Sequence, residues 1–357
     1  MDDRLDADGP PLPALDGPVL VVGGAGYIGS HTVRLLAAEG VPAVVFDDLS
    51  TGHRAAVEVE LRAGSLADRA ALARVFADVG PVAIVHFAAK CYVGESVEHP
   101  ARYYRENVVH TWHLLEAMRA AACRRIVFSS SCATYGDPIE VPMTEAHPQA
   151  PISPYGRTKL HMEHMMQDYA RAYGMSCAAL RYFNAAGAAR DGRLGEHHDP
   201  ETHLIPLVLQ VALGKRAEIL VFGDDYDTPD GTCIRDYVHV EDLARAHYLA
   251  LARLAAGQRE LACNLGTGRG FSVLEVIETA RRVTGHPIPA RRVARRPGDP
   301  PRLVSGGSRA AELLGWGPHR PGLEDIVADA WNFMRRHPEG FGDGSGDGSG
   351  GARTERP

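Results

Sequence analysis

The 357-residue sequence predicts an α/β fold, a doubly wound parallel sheet followed by a smaller C-terminal α/β region. Three observations predict it. Short, β-branched, nearly continuous apolar runs alternate with helical patterns over 18–187, and such runs suit strands buried on both faces. A glycine-rich turn joins the first run directly to the first helix. Beyond Gly187 the alternation loosens into Gly-, Pro-, His- and Asp-rich stretches between shorter elements.

In order, strands are predicted over 18–22, 43–46, 82–87 and 125–128, and helices over 27–39, 68–77, 101–122 and 154–173. Strand–helix alternation of this kind winds a parallel sheet with helices on both faces. Residues 18–187 form the first unit and 188–339 the substrate-facing region, with 236–265 a candidate to return to the first. The acidic, proline-dotted start (1–17) and the Gly/Ser/Asp tail (340–357) are predicted to be disordered extensions, because the tail buries too little apolar area to offset its ordering entropy.

Composition narrows the function. Apolar residues make up 45% and charged residues 23%, which excludes disordered and fibrous classes. With 38 Lys and Arg against 45 Asp and Glu, the net charge is −7, poor material for nucleic-acid binding. No run of ~18 apolar residues is present to span a membrane, and the first residues lack a secretory pattern. The partner is expected to be a small molecule. Six scattered cysteines without paired spacing predict reduced core thiols in a cytoplasmic protein.

The strongest motif is GGAGYIG at 23–29. Its glycines permit a tight turn and let a pyrophosphate approach free N–H groups at a helix start. Asp47 ends the second strand, where a carboxylate can accept a ribose 2′-hydroxyl and repel a 2′-phosphate, favouring NAD over NADP. Serines 129–131 end the fourth predicted strand, and Tyr155 and Lys159 follow at i and i+4, on one helix face. A phenol near pKa ~10 is a poor base at neutral pH. Two cations at ~5 Å, the lysine and an oxidised nicotinamide, would each contribute ~3 kcal/mol or ~2 pK units at an effective dielectric of ~20. That brings the phenol into the range of a general base.

These strings, with DDLSTG (47–52), VGESVEHP (93–100), FSSSCATYG (128–136), SPYGRTK (153–159), LRYFNAAG (180–187), HLIP (203–206), RDYVHVEDLA (235–244) and NLGTGRGFSVLEV (264–276), resemble the extended short-chain dehydrogenase/reductases. Within that family the sequence is similar to the UDP-sugar 4-epimerases over about 18–340. The resemblance implies a Rossmann-type sheet, bound NAD, a UDP-sugar substrate and interconversion of UDP-glucose and UDP-galactose through a 4-keto sugar. It further implies a homodimer paired through 101–122 and 154–173. Tyr155 would be the base at the sugar 4-hydroxyl, Lys159 its modulator and Ser131 a proton partner. Gly23, Gly26, Tyr27, Ile28, Gly29, Asp47, Ser65, Leu66, Phe87, Ala88, Asn107 and Tyr182 would line the cofactor along with Tyr155 and Lys159. Ser131, Asn184, His203, Leu204, Phe222, Arg235, Arg296, Asp299 and Leu303 would hold the nucleotide-sugar, the arginines through forked bonds to its diphosphate.

The sequence departs from the family at four places. Ser65 replaces an aspartate for the adenine amine, and Lys90 falls one place early before VGES. Thr202 and His203 stand where some members carry paired asparagines. Leu303 stands where some carry tyrosine, which leaves room for an N-acetyl group. The alternatives are a pentose 4-epimerase, a dehydratase or decarboxylase on the same scaffold, or a non-catalytic NAD sensor. Cys132 and Ala133 offer no carboxylate for elimination, and a sensor would not need both Tyr155 and Lys159. No metal is predicted: His161, Glu163 and His164 are expected at the surface, and His197 and His198 in a polar loop.

Overall fold

A computed structural model describes residues 15–296 and 298–342, so the predicted extensions lie, but for a few residues at their inner ends, outside the described residues. β1 (Val19–Val22) runs through the glycine turn into α1 (Tyr27–Ala38), followed by β2 (Ala43–Asp47), β3 (Glu60–Ala63), α2 (Arg69–Val79) and β4 (Ala83–His86). Next come α3 (Val93–Glu98), α4 (Pro100–Tyr103), a π-helical turn (Tyr104–Val109), α5 (His110–Ala120), β5 (Arg125–Ser131), α6 (Pro154–Tyr173), β6 (Ser176–Tyr182) and β7 (Asn184–Ala186). The second half holds α7 (Leu204–Ala212), β8 (Ile219–Phe222), β9 (Ile234–His239), α8 (Val240–Ala255), β10 (Glu260–Leu265), β11 (Gly270–Ser272) and α9 (Val273–Thr284). β12 (Ala290–Val293), β13 (Arg302–Leu303), α10 (Arg309–Leu314) and α11 (Leu323–Arg336) complete it.

Seven parallel strands form the main sheet in the order β10-β6-β5-β4-β1-β2-β3. The winding reverses between β1 and β4, which opens a crevice at their C-terminal ends. β1 is wholly buried, with Val19 facing Ala43 on one side and Ala83 on the other. Val33 and Leu36 of α1 pack with Leu243, Ala246 and Ala250 of α8 on one face. Leu72, Phe76, Leu114, Met118, Met162 and Met166 cover the other. After β9, the chain thus returns to the sheet through α8 and β10. A separate core, including Val208, Leu209, Val276, Ile277, Ile326 and Val327, joins α7, α9 and α11 in the smaller region.

Local chemistry explains the boundaries. Ser153 Oγ accepts the Gly156 N–H at 3.1 Å ahead of Pro154, and Gly174 ends α6 at φ +68°, so cap, proline and glycine all favour the same limits. The single helix predicted over 101–122 is broken by the π-helical turn and stops before Ala122, whose φ is +56°. β3 was not among the predicted strands, because its ELRA sequence occupies a largely exposed sheet edge and carries no apolar run.

Two expectations are corrected. Glu163 is buried, not at the surface, while His161 and His164 are exposed. The helical period carries Glu163 inward with Lys159 and Met166, and it forms a forked pair with Arg181 at 2.9 and 2.6 Å while accepting the Ser130 hydroxyl. Cys91 is exposed rather than a core thiol, because the chain has already left β4 and lines the crevice there.

Candidate active site

The C-terminal ends of β1 to β6 converge on a cleft of about 460 Å³. Its first wall is the glycine turn. Gly23 sits at φ +79°, and a Cβ there would fall 2.5 Å from the Ala88 nitrogen; one at Gly29 would fall 2.3 Å from the Gly23 carbonyl oxygen. Only glycine lets these backbones close up. A Cβ at Gly26 would instead meet the Gly23 oxygen alone, at 3.5 Å, so its absence leaves the backbone bare toward the cleft. No side chain caps α1, which leaves its first N–H groups for a diphosphate. These features fit a dinucleotide.

Asp47 is buried at the end of β2. Its Oδ2 accepts the Ala25 N–H at 2.9 Å and its Oδ1 the Leu49 N–H at 2.8 Å, so it braces the glycine turn as well as facing the cleft. Burial raises its pKa, and the two N–H donors oppose that rise. Tyr27, Ile28, Ser65, Leu66, Phe87 and Ala88 line the same cleft. The Ser65 hydroxyl accepts the Ala67 N–H at 3.2 Å. Lys90 pairs with Glu106 at 3.8 Å.

Asn107 is a correction. It is fully buried behind the cleft, and its amide is spent on protein partners. Oδ1 accepts the Lys90 N–H at 2.8 Å, while Nδ2 donates to the Lys90 carbonyl and the Thr158 hydroxyl at 3.0 Å each. It therefore clamps the end of β4 to α6 instead of touching the cleft.

Ser131, Tyr155, Lys159 and Tyr182 lie together on the floor. The Lys159 ammonium donates to the Ser129 carbonyl at 2.7 Å and lies 5.9 Å from the centre of the Tyr155 ring. Burial brings the Lys159 pKa down to about 8. Burial also drives the Tyr155 phenol well above its ordinary value, with the Ser131 hydroxyl acting in the opposite direction. The largest cause of the rise is desolvation of the buried phenol. The lowering expected of Tyr155 needs the charge of an oxidised nicotinamide beside it as well as Lys159.

On the substrate side, Asn184, His203, Arg235 and Leu303 reach the cleft, and β9 and β13 set Arg235 beside Leu303. Arg235 donates to Asp299 at 2.8 Å, to the Pro300 carbonyl at 3.0 Å and to the Ile234 carbonyl at 2.9 Å. Arg296 stacks on Phe222 at 3.9 Å from the ring centre. Neither Phe222, Arg296 nor Asp299 forms part of the cleft wall, and Leu204 packs into the smaller core instead. Phe222 ends β8, which pairs with β12 in a two-stranded sheet apart from the main one, and Arg296 follows β12. Cys91, Phe183, Glu196 and His198 line the cleft without having been singled out for it; they sit on turns whose packing has no short-range signature.

The match to known proteins can be set against this geometry. Residues 19–266 match the model of the NAD dependent epimerase/dehydratase family. The chain belongs to that family. It is 50% identical over 324 residues to a UDP-glucose 4-epimerase of Halalkalibacterium halodurans, covering 90% of this chain and 97% of the relative. It is similar in structure to a UDP-glucose 4-epimerase from Brucella ovis solved in complex with NAD, with TM-score 0.87 and 54% identity over 89% of this chain and 98% of that one. It is also similar to a UDP-Glc/GlcNAc 4-epimerase from Campylobacter jejuni, with TM-score 0.79 and 40% identity over 90% of this chain and 99% of that one.

Proposed function

We propose that the chain is an NAD-dependent 4-epimerase that interconverts UDP-glucose and UDP-galactose. The observation that carries this reading is the meeting of Tyr155, Lys159 and Ser131 on the floor of the cleft walled by the glycine turn. Gly23, Gly26, the start of α1 and Asp47 would hold the cofactor's diphosphate and ribose. When bound, NAD would supply a hydride acceptor and donor for the sugar 4-carbon and a positive charge beside Tyr155. Tyr155 accepts the 4-hydroxyl proton and gives it back, with Ser131 sharing it. Lys159 keeps the phenolate form accessible from beneath the ring. Arg235 anchors the diphosphate, so the sugar can turn while the nucleotide stays fixed.

The Asp299 carboxylate holds the Arg235 guanidinium in the orientation a diphosphate needs. The Phe222 and Arg296 stack would meet the uracil. Leu303, partly buried against Tyr135, Met143 and Phe183, leaves the sugar's 2-substituent side free of a ring and suits an N-acetylhexosamine as a second substrate. A homodimer is supported by Trp112 and Tyr173, 41% and 45% exposed on α5 and α6, with Tyr104 and Val109 on the adjoining turn. Six free thiols and the absence, among the described residues, of a helix able to cross a membrane fit a cytoplasmic location.

The deciding experiment incubates the purified chain with UDP-galactose and no added NAD, while mass spectrometry identifies the cofactor released on denaturation. UDP-glucose formation with NAD in the released fraction is expected. An oxidised sugar accumulating with stoichiometric consumption of added NAD would overturn the reading.

A further inference from the structure

Glu196, His198, Glu201 and His203 lie on one segment between β7 and α7, and all but Glu201 line the cleft, His198 beside Tyr27. One donor atom from each lies within 4.8 Å of all the others. His203 Nδ1 is 2.7 Å from Glu196 Oε1 and 3.2 Å from Glu201 Oε1. His198 Nδ1 is 3.2 Å from Glu196 Oε1 and 3.7 Å from Glu201 Oε2. Both Nδ1 atoms are buried, and neither has hydrogen-bond geometry toward any acceptor despite these distances. Two buried imidazole nitrogens therefore lie among carboxylate oxygens without a hydrogen-bond partner.

We propose that these four residues form a binding site for a divalent transition-metal ion, with zinc the best match. Bonds of about 2.0–2.1 Å in a tetrahedral shell put ligand atoms about 3.3–3.4 Å apart, near the middle of the separations found. A set of two nitrogens and two oxygens selects against calcium and magnesium, which take oxygen shells. Two carboxylates and two neutral imidazoles also balance the double positive charge. Glu201 Oε1 accepts the N–H groups of Thr202 and His203 at 2.7 and 2.8 Å, which fixes that carboxylate before any ion arrives.

The role this assigns is structural. All four ligands come from eight consecutive residues, so the ion closes the segment on itself. The His198 ring stands edge-on to Tyr27 at 6.4 Å and to Tyr92 at 6.3 Å. The Tyr27 hydroxyl in turn donates to the Gly187 carbonyl at 2.6 Å. The closed segment would thus support the start of α1, where the glycine turn ends, and no step of the epimerisation requires it.

The test uses the full chain, expressed without a polyhistidine tag and dialysed against metal-free buffer. Inductively coupled plasma mass spectrometry should find about one zinc per chain, and X-ray absorption at the zinc edge should report a shell of nitrogen and oxygen with two imidazoles. After stripping with a chelator, zinc should bind the parent at least ~10-fold more tightly than His198→Ala or the isosteric Glu201→Gln, and should restore the lost melting temperature in the parent alone. Parent protein that neither retains zinc nor regains any when zinc is supplied would overturn the proposal whatever the variants do. So would equal zinc affinity in the parent and in a folded Glu201→Gln chain. The carboxylates would then serve as ion-pair partners of the histidines alone.

Discussion

The sheet side of the cleft and the loop side are built in opposite ways. On the sheet side, Gly23, Asp47, Ser131 and Tyr182 stand at strand ends whose backbones are fixed by parallel pairing, and Tyr155 and Lys159 lie on a capped helix packed beneath them. On the loop side, Arg235 owes its orientation to Asp299, 64 residues away, and Phe222 meets Arg296 in a stack outside the cleft wall. The first side is rigid and committed to chemistry. The second is assembled from side chains on short strands of two smaller sheets and on the turns that follow them. Under the proposed function, the first side would serve turnover and the second selectivity.

The strongest attack on that contrast is Tyr155→Phe. It keeps the ring and deletes the proton acceptor, so turnover should fall at least ~10²-fold with UDP affinity unchanged. Steady-state kinetics with UDP displacement checks both halves, and an equal loss of UDP binding would show that the floor also serves selectivity. Arg235→Ala should do the reverse. Losing charge-assisted bonds to the diphosphate, and leaving Asp299 unpaired beside it, should raise KM by roughly 10–100-fold with a smaller change in kcat.

The sheet side also carries an acid liability. Burial brings His86 down to about 3 and His247 down to about 4, each from an ordinary value near 6.5. Both bind protons more readily when unfolded, so their contribution is complete above about pH 6.5 and is lost as pH falls toward their folded values. Each should lower stability by roughly 1.4 kcal/mol per pH unit in that window. His247→Phe should flatten the slope between pH 6 and pH 4.5 by about that amount, read from denaturant melts.

The finest test is at Leu303. UDP-N-acetylglucosamine should be epimerised within about 100-fold of UDP-glucose, because a roomier pocket loses only ~1–3 kcal/mol on the smaller sugar. Leu303→Tyr should suppress the acetylated substrate by at least ~10-fold while leaving UDP-glucose nearly unchanged. Parallel assays of both substrates on both proteins decide it. No activity of the parent on the acetylated sugar would remove Leu303 from the selectivity side.

The sequence by itself determined the framework of the sheet side. β-branched runs, GGAGYIG and the i, i+4 spacing of Tyr155 and Lys159 are short-range signals, because strands, turns and helix faces depend on residues a few positions apart. Only tertiary structure decided the rest. It turned Asn107 from the cleft to clamp Lys90 against Thr158, buried Glu163 against Arg181, and left the polar β3 to be recognised by pairing with β2 alone. It also raised the Tyr155 phenol, since desolvation belongs to the packed surroundings and not to the spacing of a pair. The same holds for the four donors between Glu196 and His203: their spacing shows that they are near in sequence, but the path of the folded segment brings one donor atom of each within 4.8 Å of the others.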